Sequence, residues 1–143
     1  MAAANSQPLF SRVADIQWAE SCTAANNTVD ITTGTSYLVF TADATNGGFV
    51  REIRVKANPA TSTVATVVRL WVNNGSVTTT AVNSAIIGEL GLPAIATSAS
   101  AANPDFVYPL NFPLAPGYRI YATLGTAPGG ASELTITAIG GKY

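Results

Sequence analysis

Apolar residues recur at every second position over short stretches, the spacing that lays one side of an extended chain against a core. Ile16 and Trp18 alternate with polar partners between Asp15 and Glu20, and Val29 and Ile31 flank Asp30. The run Tyr37-Leu38-Val39-Phe40 within Ser36 to Thr41 predicts a strand buried on both faces. Between Phe49 and Ala57 the pattern places Ile53, Val55 and Ala57 on one face and Arg54 and Lys56 on the other. Between Thr66 and Asn73 it places Val68, Leu70 and Val72 together and sets Val67, Arg69 and Trp71 opposite, a face shared with Arg69 that leaves partial exposure of Trp71 open. Asn73-Asn74-Gly75 is a turn signal, because Asn and Gly tolerate positive φ, and Val77 to Ala81 is expected to return as the second strand of a hairpin. Ser84 to Leu92 fits a strand, a short helix or a contact loop.

Pro93 closes that segment, and Ala94 to Asn103 is small and polar, as in a loop. Phe106, Tyr108, Leu110 and Phe112 then alternate strictly, while Pro109 and Pro113 occupy the opposite positions. Proline cannot donate to a ladder, so this strand is predicted at a sheet edge. Tyr118, Ile120, Ala122 and Leu124 alternate after the turn Ala115-Pro116-Gly117, and Leu134, Ile136 and Ala138 follow Ala127-Pro128-Gly129-Gly130. About eight short strands separated by turn signals predict an all-β fold, a single-domain β-sandwich, jelly-roll-like, over residues 14–143. Residues 1–13 are polar, contain Pro8, and are expected to form an extended N-terminal arm with Leu9 and Phe10 as anchors.

Composition narrows the function. The chain has 143 residues, enough for one domain with its own core. Only 10% of residues are charged, against about 25% in ordinary domains, and the net charge is -1. A nucleic-acid binder would carry a basic excess, whereas the one basic cluster here, Arg51, Arg54 and Lys56, encloses Glu52. Surfaces poor in charge suit proteins packed against neighbours, because interface cores are depleted in charged residues. No apolar run approaches the ~20 residues of a membrane span. The first residues have neither a basic start nor a long apolar stretch, so no secretory signal is expected and Asn26-Asn27-Thr28 and Asn74-Gly75-Ser76 are not expected to be glycosylated.

Candidate chemistry is sparse. The chain has no His, which removes the commonest general base and metal ligand. The single Cys22 has only Ser21 and Thr23 beside it and no activating partner in sequence. Eight carboxylates are spread along the chain, and none is singled out as a catalytic pair. No catalytic residue, cofactor site or metal site is therefore expected. Trp18, Trp71, Tyr108, Tyr118 and Tyr121 would form a sugar platform only if exposed together, and burial in a core or interface is the simpler expectation for them.

Four segments carry a resemblance. Phe49-Val50-Arg51-Glu52-Ile53-Arg54-Val55-Lys56-Ala57 is followed by Val68-Arg69-Leu70-Trp71-Val72-Asn73-Asn74-Gly75. Then come Pro113-Leu114-Ala115-Pro116-Gly117-Tyr118-Arg119-Ile120-Tyr121-Ala122 and the ending Leu134 to Tyr143 with Gly140-Gly141. Together they resemble small tailed-phage virion structural proteins of the capsid decoration (cement) type, over about residues 35 to 143. The stretch from Ile86 to Ala102 is longer and more apolar than in that pattern. The resemblance implies a capsid decoration protein that binds across subunits of the major capsid protein and stabilises the expanded head. It further implies a homotrimer on the capsid surface of the virion, assembled in the host cytoplasm, with no nucleic-acid or membrane partner. A collar, baseplate or tail-fibre module and a carbohydrate-binding β-sandwich are the alternatives. The expected interface residues are Leu9 and Phe10 on the arm, Arg51, Arg54, Lys56 and Arg69 facing acidic groups of a partner, Trp71, and an apolar contact loop of Ile86, Ile87 and Leu90.

Overall fold

The structure, a computed structural model, describes residues 11–58 and 61–143. It contains eight strands: β1 (Val13–Cys22), β2 (Tyr37–Thr41), β3 (Gly48–Asn58), β4 (Thr66–Asn73), β5 (Ser84–Leu92), β6 (Asp105–Leu114), β7 (Arg119–Leu124) and β8 (Glu133–Lys142). They form two four-stranded sheets, sheet A in the order β1-β8-β3-β6 and sheet B in the order β2-β7-β4-β5. All ladders are antiparallel, and first pairs with last: β1 with β8, β2 with β7, β3 with β6 and β4 with β5. One long hairpin, centred between β4 and β5 and rolled on itself, gives this order. It is the double Greek key of a jelly roll, and the protein is an all-β sandwich.

Alternation explains which residues meet between the sheets. Ile53, Val55 and Ala57 of β3, Leu134, Ile136 and Ala138 of β8, Val68 and Leu70 of β4, and Ile120, Ala122 and Leu124 of β7 share one buried core. Burying an aliphatic side chain of this size contributes about 1.5–3 kcal/mol, so these inner rows account for most of the cohesion. β6 lies at the edge of sheet A with Pro109 and Pro113 pointing outward, as its prolines require. Gly75, Gly117 and Gly129 have φ of 90, 74 and 90, which marks the turns at the places the sequence predicts.

Each of the two open sides of the sandwich is bridged by one side chain. The Gln17 amide on β1 donates to the Thr41 carbonyl at 2.9 Å and accepts from the Thr41 amide at 2.9 Å, so it stands in for a neighbouring strand at the edge of β2. On the other side the Tyr108 hydroxyl of β6 donates to the Ile87 carbonyl of β5 at 3.2 Å. Tyr108 reaches β5 because residue 88 is glycine; a Cβ there would overlap the phenol ring and hydroxyl.

Several sequence expectations change. The return strand of the β4 hairpin is β5, whereas Val77 to Ala81 lies in the connecting loop, where the Asn83 amide donates to Ser76, Thr78 and Thr80 hydroxyls. Val29 and Ile31 belong to the β1–β2 loop, not to a strand. β2 is buried at Val39 and Phe40, but a register shift between Leu38 and Phe40 leaves Leu38 exposed. The predicted arm loses its last residues to the sheet: the Arg12 amide donates to the Lys142 carbonyl at 2.7 Å and Val13 opens β1. Leu9 and Phe10 lie outside the described residues.

Candidate interaction surface

The outer face of sheet B is closed by the protein itself. The β1–β2 loop folds over it, and Ile31 packs on Trp71 and Tyr121 as a second, separate apolar cluster. Asn26 holds that loop in shape. It is 1% exposed, its amide nitrogen donates to the Asp30 and Thr33 carbonyls at 2.8 and 2.7 Å, and its backbone amide donates to Leu124 at 2.7 Å. Trp71 is consequently only 8% exposed and its indole donates to the Thr123 hydroxyl at 3.1 Å. Trp71 thus takes the buried position that is the simpler expectation, because a loop of its own chain covers the face it shares with Arg69.

The four expected interface cations already have partners within the chain. Arg54 donates to Glu52 at 2.7 Å, and Arg51 lies 3.3 Å from the same carboxylate. Lys56 pairs with Asp105 at 2.8 Å and also reaches the Asn103 carbonyl. Arg69 pairs with Glu89 at 2.8 Å, while its Nη1 is buried without a partner among the described residues. These contacts hold the Glu52 and Asp105 carboxyls below the usual range, chiefly through the hydrogen bonds from Arg54 and Lys56. Each of these side chains touches an acid of its own chain, though Arg51 and Arg54 share one carboxylate. Ile86, Ile87 and Leu90 lie on the edge strand β5 instead of a loop; Ile86 is exposed, while Ile87 and Leu90 pack partly against the core.

The structure exposes apolar residues that the sequence pattern assigns to the interior. β1 is turned with its apolar row outward: Ile16 is 53% and Trp18 57% exposed, while Gln17 and Ala19 face the other sheet. Period-two spacing tells which residues share a face, not which face is covered, and Gln17 takes the inward position because it caps β2. On the β4–β5 loop Val77 and Val82 are 85% and 86% exposed. That loop, from Asn74 to Asn83, contains no charged residue.

The remaining geometry offers little to a reaction. Burial, with Glu133 nearby, pushes the Cys22 thiol up to about 12, so it stays protonated at neutral pH. Among the described residues no three His, Cys, Asp or Glu side chains converge on a metal position. A shallow cavity of about 260 Å³ between Pro93 and Pro104 is lined by Ala, Ser, Pro, Ile95 and Asn103, none of them titratable. No helix of the described residues is long and apolar enough to cross a membrane. No family model and no curated protein matches the chain.

Proposed function

We propose that this protein is a phage capsid decoration (cement) protein, one that assembles with copies of itself, as a homotrimer, and binds across subunits of the major capsid protein on the outside of the expanded head. What supports it is the surface: Arg51, Arg54, Lys56 and Arg69 are all engaged by three carboxylates of the same chain, Glu52, Asp105 and Glu89, while Ile16, Trp18, Val77 and Val82 stand in water. Exposed apolar residues on a surface poor in free charge fit an assembly surface whose recognition rests on shape and burial. The role needs no reacting group. A clamp that binds only the expanded lattice stabilises that state by mass action, and a trimer matches the threefold positions of a closed shell. The virion location, assembled in the host cytoplasm, is part of this proposal.

Quantitative mass spectrometry of purified particles, scaled to the major capsid protein, tests it. The expected result is on the order of hundreds of copies per particle, as icosahedral decoration requires. About a dozen copies or fewer would place the chain in a collar, baseplate or tail fibre, and absence from particles would remove the virion role altogether. Of the five aromatic candidates for a carbohydrate platform, Trp18 is exposed, Trp71 and Tyr121 are buried under the β1–β2 loop, and Tyr108 and Tyr118 are half-buried against the core.

A further inference from the structure

Among the described residues no loop comparable to the one over sheet B covers the outer face of sheet A, and that face is built in stripes. In one row across the sheet Trp18 lies beside Thr137, Arg54 and Val107; in the next, Ile16 lies beside Ile139, Glu52 and Pro109. Apolar side chains thus occupy both margins, and the ion pairs of Glu52, Arg54, Lys56 and Asp105 run between them. We infer that this face is where copies of the chain associate, a second copy covering Ile16 and Trp18 of the first. The inference rests on the self-assembling part of the proposed function and names its surface.

Two quantities select a second copy as the occupant. The first is charge. A foreign partner recognised by charge would meet unpaired acids or bases, whereas here Glu52 is held by Arg54 and Arg51 and Asp105 by Lys56, an excess of one positive charge in the band. Such a face can meet its own kind with little net repulsion, since every copy brings the same pairs. The second is area. Four strands of 10, 10, 11 and 10 residues make up the sheet. At ~4.8 Å between strands and ~3.3 Å per residue they span a flat area of about 600 Å², before the relief of the side chains is added. A stable interface needs about 800 Å² of accessible surface per partner, so the pleated face is of the required size. Tryptophan is among the residues that carry an outsized share of the binding energy where a second copy covers them.

Trp18 also reports on the contact. Trp18 is exposed and Trp71 buried, so acrylamide quenches mainly the Trp18 emission of the free chain. The full chain is measured by light scattering after size exclusion and by acrylamide quenching across a concentration series. Ile16→Thr/Trp18→Thr, which keeps strand formers on an exposed row, is compared with Val29→Asp, an exposed position on the β1–β2 loop over sheet B. The expected result is an oligomer for the wild type and for Val29→Asp, with quenching that falls as concentration rises. The double variant is expected to dissociate at least about tenfold more readily with an unchanged melting temperature. A wild type that stays monomeric at about 100 μM, or a double variant that associates like the wild type, overturns the inference. So does protection of Trp18 by an added glycan but not by concentration. Co-sedimentation with empty expanded capsids separates the two proposals. Association without capsid binding upholds this contact and removes the decoration role. Capsid binding by a wild type that never self-associates does the reverse.

Discussion

Gln17 shows how one side chain can replace a strand. Its amide presents one donor and one acceptor in the spacing of a peptide group, and both are used by Thr41. Gln17→Ala would leave the Thr41 amide and carbonyl without these partners at the margin of the core. The expected cost is about 1–2 kcal/mol, the usual penalty for a polar group stripped of its bond away from full solvent. Urea unfolding monitored by circular dichroism checks it; Gln17→Glu, which keeps the acceptor and loses the donor, should fall between wild type and alanine. The same residue explains why β1 was misread. A polar residue alternating with Ile16 and Trp18 reads as a solvent position, and nothing in sequence reveals that its amide closes the gap between two sheets. For Trp71 the spacing identifies the face but not its cover, because Ile31 lies 40 positions earlier in a segment whose alternation reads as a strand and whose structure is a loop.

At the scale of elements, β5 and β6 depend on a missing side chain. Gly88 lets the Tyr108 ring lie against β5 and bond to Ile87, the one hydrogen bond that joins these two edge strands across the open side. Gly88→Ala would force the ring away, and overpacking of this kind costs about 1–3 kcal/mol. Thermal melting should show the loss, and tyrosine fluorescence should report the displaced phenol. Strands with strict alternation, β3, β4, β6, β7 and β8, were legible from spacing alone because each has one apolar and one mixed face. β5 is ambiguous for a physical reason: Gly88 and Gly91 interrupt its apolar positions, and a register shift pairs Leu70 with Gly88 and Trp71 with Ile86, leaving Ile87 as the extra residue of a bulge. Its apolar residues therefore keep no single period. The loop from Asn74 to Asn83 misled in the opposite way, since Val77 and Val82 look like core residues and stand in solvent.

At the scale of the molecule, carboxylates set the acid response. Glu52 and Asp105 are held low by their cationic partners, while Asp30 and Asp43 are held low mainly by backbone amides, of Thr33 for one and of Asn46 and Thr45 for the other. A carboxyl with a depressed folded value stabilises the fold fully above its unfolded value and loses that contribution as pH falls through the folded one. Ordinary values are 3.8 for Asp and 4.5 for Glu. The melting temperature should therefore be flat above about pH 5 and decline progressively below pH 4.5. Salt should shrink only part of the decline, since it screens the exposed ion pairs and leaves the amide hydrogen bonds of Asp30 and Asp43 largely intact. A decline abolished by 1 M salt would assign all of it to the ion pairs and remove the amides from the account.

The nesting of first strand with last bears on synthesis by the ribosome. β8 is a middle strand of sheet A, flanked by β1 and β3, yet it is the last strand to leave the exit tunnel. Until it emerges, β1 has no ladder to join and β3 lacks one of its two neighbours, so sheet A stays open for nearly the whole of translation. Contacts this distant in sequence also form slowly. A nascent chain interrupted before Glu133 therefore lacks the strand that joins β1 to β3 and presents no finished outer face of sheet A.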